Sequence, residues 1–192
     1  MRTTVDHFTT AREAALATAR GLARTIADTL TAMYPGAAYL VLRWDQDDDV
    51  LWLQSIRNTT GVILCDFDTP AELPELTDTD LRQAWGDLDP RQPVNLLALI
   101  RLMEDTGGRL DFLPETAEHE DDPHEGPSLV CILLSEKAEP GLWDWGGTAV
   151  LRPYSAPEPP ALRTEGTPPP CSVTSTAPIT TSPVKPAATP GT

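Results

Sequence analysis

Three apolar runs, separated by gaps too short to hold a helix, constrain this chain more than any other feature. Ala38–Trp44, Val50–Ile56 and Val62–Phe67 are rich in aliphatic and aromatic residues, and five residues separate each run from the next. Parallel neighbours need a crossover of a dozen or more residues. These runs therefore predict an antiparallel three-strand meander. The gaps fit that reading: Asp47-Asp48-Asp49 fills the first and Asn58-Thr59-Thr60-Gly61 the second, all residue types that stabilise turns.

A helix is predicted before the meander. From Thr10 to Tyr34, apolar residues recur at intervals of three and four, among them Ala15, Ala19, Leu22, Ile26, Leu30 and Met33, with Phe8 and Ala11 extending the stripe upstream. Thr10 and Glu13 have capping-box spacing, and Pro35-Gly36 ends the helix. Downstream, Asp78 and its neighbours open a short helix that carries Leu81, Trp85 and Leu88. A second begins near Pro93 and stops at Thr106-Gly107-Gly108. Arg109–Leu113 reads as an edge strand, Leu129–Leu134 as the most apolar strand and Thr148–Arg152 as a closing strand. This order predicts a two-layer α+β domain: an N-terminal helix, the meander, two helices and further strands in a mainly antiparallel sheet.

Composition divides the chain. Residues 153–192 hold eleven of the twenty prolines, with eight Thr and four Ser, and their charges sum to zero. Such a segment buries too little apolar area to offset an ordering cost of roughly 1–2 kcal/mol per residue. The expectation is a domain over 1–152 and a disordered tail over 153–192. The whole formal charge of −15 then belongs to the domain, and residues 41–152 carry 24 acids against 8 bases. That balance argues against direct nucleic-acid binding and against anionic membranes, and favours a basic partner. The basic residues are twelve Arg and two Lys, a skew typical of GC-rich coding. The three cysteines are widely spaced and form no framework, and no apolar leader opens the chain, so a cytoplasmic location is expected.

Chemical motifs are sparse. Val62–Asp68 resembles the first motif of haloacid-dehalogenase-type phosphatases, an apolar strand running into Asp-x-Asp, with Asp66 and Asp68 at the matching positions. The resemblance implies an aspartyl nucleophile and Mg²⁺. The family's threonine position is occupied by Pro70, however, and its parallel sheet conflicts with a meander, so the run reads as a strand ending in a polar turn. His119, Asp121, Asp122 and His124 combine imidazole and carboxylate in one acidic loop and are weak candidates for a divalent metal. Asp45, Asp47 and Asp49 imitate the start of a calcium loop, but Val50 stands where glycine is needed. No nucleophile elbow, phosphate loop or zinc-helix motif occurs, and neither catalysis nor a cofactor is expected.

Of the five tryptophans, Trp44, Trp52 and Trp85 read as core, whereas Trp143 and Trp145 alternate in a Gly-rich turn and are candidates for an exposed interaction patch. The sequence therefore predicts a non-enzymatic interaction or accessory domain. The alternatives are a small-molecule sensor, because the helix–strand–turn–strand order resembles the start of GAF and PAS-like domains, a nucleic-acid-mimicking inhibitor, and a metal-dependent hydrolase.

Overall fold

The computed structural model describes residues 5–45, 50–69, 72–119, 129–141 and 151–154. Helix α1 spans Val5–Met33, followed by β1 (Tyr39–Asp45), β2 (Val50–Arg57), β3 (Ile63–Asp66), α2 (Thr79–Ala84), α3 (Pro93–Asp105), β4 (Asp111–Phe112), a 3₁₀ turn at Glu115–Ala117 and β5 (Leu129–Leu133). The five strands form one antiparallel sheet in the order β3-β2-β1-β5-β4. The α+β architecture and the meander are as the sequence predicts. The apolar run at 129–133 does not extend the meander in sequence order. It inserts beside β1, which makes β1 central and β3 an edge.

Turn chemistry makes the transitions. After α1, Pro35 and Gly36 occupy the middle of a tight turn closed by Ala37 N–H donating to the Tyr34 carbonyl at 3.0 Å, and Gly36 has φ +91°. That positive angle is the one a type II turn requires after proline. Between β2 and β3, Asn58 Oδ1 accepts from the backbone N–H groups of Thr60 (2.9 Å) and Val62 (3.0 Å), and Asn58 N–H donates to the Val62 carbonyl at 3.0 Å. Gly61 closes this turn at φ +82°, where a Cβ would lie 2.9 Å from the Ala117 carbonyl oxygen. Asp78 caps α2 by accepting from Asp80 and Leu81, and Pro93 opens α3 in the first turn, where its missing N–H costs nothing.

One sheet face carries the helices. Leu40, Leu42 and Ile56 bury against Ile26 and Leu30 of α1 and Leu96, Ile100 and Met103 of α3. Trp85 joins this core, and its indole Nε1–H donates to Thr29 Oγ1 at 2.8 Å, giving the buried hydroxyl a partner. The opposite face has a smaller buried cluster in which Tyr39, Val41, Cys131 and Leu133 meet Leu113, Ala117 and Ala138. Tyr39 ties the cover down: its hydroxyl donates to the Glu139 carbonyl at 3.0 Å and accepts from the Glu139 amide at 3.2 Å.

Several local expectations change. Helix α1 starts at Val5, so Thr10 is interior and its hydroxyl donates to the Asp6 carbonyl at 2.9 Å instead of capping. Residues 5–14 are exposed, Phe8 to 65%, so Phe8 and Ala11 are not core. The reason is length: 29 residues at about 1.5 Å each overrun strands of seven or eight residues at about 3.4 Å each. The predicted edge strand at 109–113 shortens to Asp111–Phe112. Of the closing strand, 148–150 lie outside the described residues. Leu151 is not in a strand, but its N–H donates to the Arg109 carbonyl at 3.0 Å. Pro153 and Tyr154 pack with the body: the Tyr154 hydroxyl donates to Asp28 at 2.8 Å and Arg24 lies over its ring. From residue 155 on, the proposed tail lies outside the described residues.

Truncation along α1 distinguishes its two halves. Ile26→Ala, at a fully buried site, should cost about 2–5 kcal/mol, while Phe8→Ala should cost under about 0.5 kcal/mol by urea unfolding. Equal losses would contradict the projecting first turns.

Candidate interaction margin on the sheet

The far face of the sheet is organised around a buried arginine. Arg57, at the end of β2, is 1% exposed. Its Nε–H donates to Ser55 Oγ at 2.8 Å, one terminal nitrogen donates to the Ala117 carbonyl at 3.0 Å, and the other to Gln54 Oε1 at 3.2 Å. Burying a guanidinium is costly unless its donors are met, and these acceptors bind the 3₁₀ turn to the sheet. Gly61, without a side chain, lets the Ala117 backbone approach.

Among the described residues, that cover extends over only part of the face. Pairing of Val41 with Ser55 and of Ser55 with Asp66 puts Asp66 on the Val41 side of the sheet. By the same register Trp52 lies opposite Arg43 on this side, and Ile63 lies opposite Arg57. Trp52 is 49% exposed, Val62 54% and Ile63 37%, with Asp66 and Asp68 exposed between and beside them. The β2–β3 margin thus combines an aromatic ring, branched aliphatic side chains and two carboxylates.

This corrects the reading of the first hairpin. Trp44 and Trp52 are not core residues: Trp44 shares the Leu51 face but is 41% exposed, and Trp52 points to the other side. Only Trp85 is buried as expected. The sequence held the signal, because residues paired one step apart across a hairpin, as 44 with 51 and 43 with 52, must put the two indoles on opposite faces.

Among the described residues, the other candidates do not assemble into a site. Asp66 Oδ1 accepts from the Asp68 N–H at 2.9 Å, a polar turn after an antiparallel edge strand, without the parallel strand that the phosphatase resemblance implies. Asp45 pairs with Val50 across the first hairpin, and 46–49 lie outside the described residues. His119 is exposed, while Asp121, Asp122, His124, Trp143 and Trp145 lie outside the described residues. Among the described residues no group of three or more His, Cys, Asp or Glu side chains could hold a metal ion, and no helix is long and apolar enough to cross a membrane.

The clefts lie elsewhere. One of about 560 Å³ opens at the end of the sheet, with Thr31, Ala38, Ser135 and Tyr154 in its walls, and a second of about 360 Å³ adjoins it. Three of their hydroxyls bond within the chain: Thr31 donates to the Ala27 carbonyl, Ser135 Oγ accepts from the Lys137 amide and Tyr154 donates to Asp28. The first cleft is also lined by Ala37 and Leu134 of the helix-side core.

At the opposite edge, Asp111 is 6% exposed and pairs with Arg152 at 3.0 Å. Burial raises the Asp111 carboxyl above its ordinary range, and Arg152 offsets this only in part. A carboxyl held up in the folded state contributes stability at pH below the unfolded value, and that contribution is lost as pH rises through the folded value. The melting-temperature difference, Asp111→Asn minus wild type, should therefore become more positive from acid to neutral pH. A difference that falls instead would show that Arg152 outweighs burial.

No family model matches the chain, and no curated protein or solved structure is significantly similar to it.

Proposed function

We propose that this chain is a non-enzymatic protein-interaction domain whose acidic side receives a basic partner. One observation carries the reading: Trp52, Ile63 and Asp66 are exposed on one face of the β2–β3 pair, with exposed Val62 and Asp68 flanking β3. Large apolar side chains left in water beside carboxylates suit the long side chains of Lys and Arg. The aliphatic stem lies on apolar surface, the charged head meets a carboxylate or the indole face, and each contribution is modest alone. The net charge of −15 would speed encounter with such a partner and repel acidic ones.

The full chain titrated by calorimetry with a short peptide of alternating Lys and Val should bind it. A matched Glu/Val peptide should not bind. Affinity should fall as ionic strength rises toward the point where the Debye length is about 8 Å, and further. Trp52→Ala should weaken binding by about tenfold, corresponding to 1.4 kcal/mol. Equal binding of both peptides, or indifference to salt, would remove the reading.

A further inference from the structure

The two edges of the sheet are treated differently. At β4, the chain itself covers the margin: Gly141 N–H donates to the Phe112 carbonyl at 2.8 Å and Leu151 N–H donates to the Arg109 carbonyl at 3.0 Å. At β3, no strand lies beyond the margin among the described residues. The hydrogen-bond alternation shows which groups face outward. Phe67 N–H donates to the Gln54 carbonyl at 3.0 Å, and Cys65 pairs with Ile56. Asp66, between them, therefore turns its own N–H and C=O away from β2.

We propose that the outer edge of β3 receives an extended, basic segment of another protein as a sixth, hydrogen-bonded strand. This rests on the proposed function and specifies its geometry. Main-chain bonds to Asp66 and to the irregular Ile63–Leu64 step would supply register, and the exposed side chains would supply selectivity. The occupant follows from charge. Asp66 and Asp68 stand at this edge, and the chain as a whole is strongly acidic, so a second copy brings like charge to like charge. A segment with Lys or Arg on alternate residues turns those side chains to the face that carries Asp66 and Ile63, where their charged heads meet the carboxylate and their aliphatic stems lie on the isoleucine. The four-residue length of β3 and its irregular step limit the pairing to a short segment.

Amide hydrogen exchange read by NMR on the full chain, with and without the alternating Lys/Val peptide at low salt, tests this. The Asp66 amide should slow at least about tenfold on binding, the protection expected when an open N–H gains a strand partner. Peptides N-methylated on one alternate set of residues should lose about tenfold in affinity, while those methylated on the other set keep it. Asp66→Lys combined with Asp68→Lys should abolish binding, with the Trp85 environment reporting that the fold persists. Peptide binding with no protection at Asp66, or equal loss from both methylated sets, would overturn strand addition and leave the basic-partner reading standing. Self-association through β3 without peptide would also overturn it. Failure of every basic peptide to bind would remove both.

Discussion

The far side of this molecule depends on satisfying the Arg57 guanidinium. A buried cation at the end of β2 must be surrounded by acceptors, and it takes them from Ser55, Gln54 and the backbone of Ala117. Meeting that requirement fastens the 3₁₀ turn over one end of the sheet and demands a glycine at position 61 beneath it. The smaller apolar cluster of Tyr39, Val41, Leu113 and Cys131 closes alongside. Trp52, Ile63 and Asp66, on the same face of the sheet, remain exposed beside that cover.

The helical side is more fully packed among the described residues, with Trp44 at its hairpin end left exposed. Helices α1 and α3 fill their face with aliphatic side chains, and the Trp85–Thr29 bond accommodates the polar group that enters this layer. Among the described residues, one face of the sheet is packed by helices and the other is covered in part by loops. Its two edges show the same contrast, with β4 covered by its own chain and β3 left as the margin. Exposed apolar side chains and carboxylates share the β2–β3 pair with a strand edge that no described strand covers, and this supports the interaction reading.

Much of the fold was legible because it follows from local rules. Gaps of five residues force antiparallel pairing, and Pro35-Gly36, Asn58 and Asp78 perform the turn and cap chemistry that their side chains favour. Long-range placement was not legible. Nothing within Leu129–Leu133 says that it pairs with β1, yet that pairing is what makes β3 an edge. The burial of Arg57 was equally hidden, because an arginine at a strand end ordinarily meets solvent and its acceptor at Ala117 is sixty residues away. Phe8 matched the helical stripe but stayed exposed because periodicity records a face and not how far the neighbouring layer extends. The exposure of Trp52 could have been anticipated from strand alternation, since one face of a single helix-covered sheet must do without helices.

The indole N–H resonances of Trp44, Trp52 and Trp85 report three environments: the hairpin end on the helical face, the far face and the core. Titration with the basic peptide, followed on those three signals, tests the central claim most directly. Trp52 should shift with saturation while Trp44 and Trp85 hold still. A shift at Trp44 or Trp85 with Trp52 unmoved would contradict it.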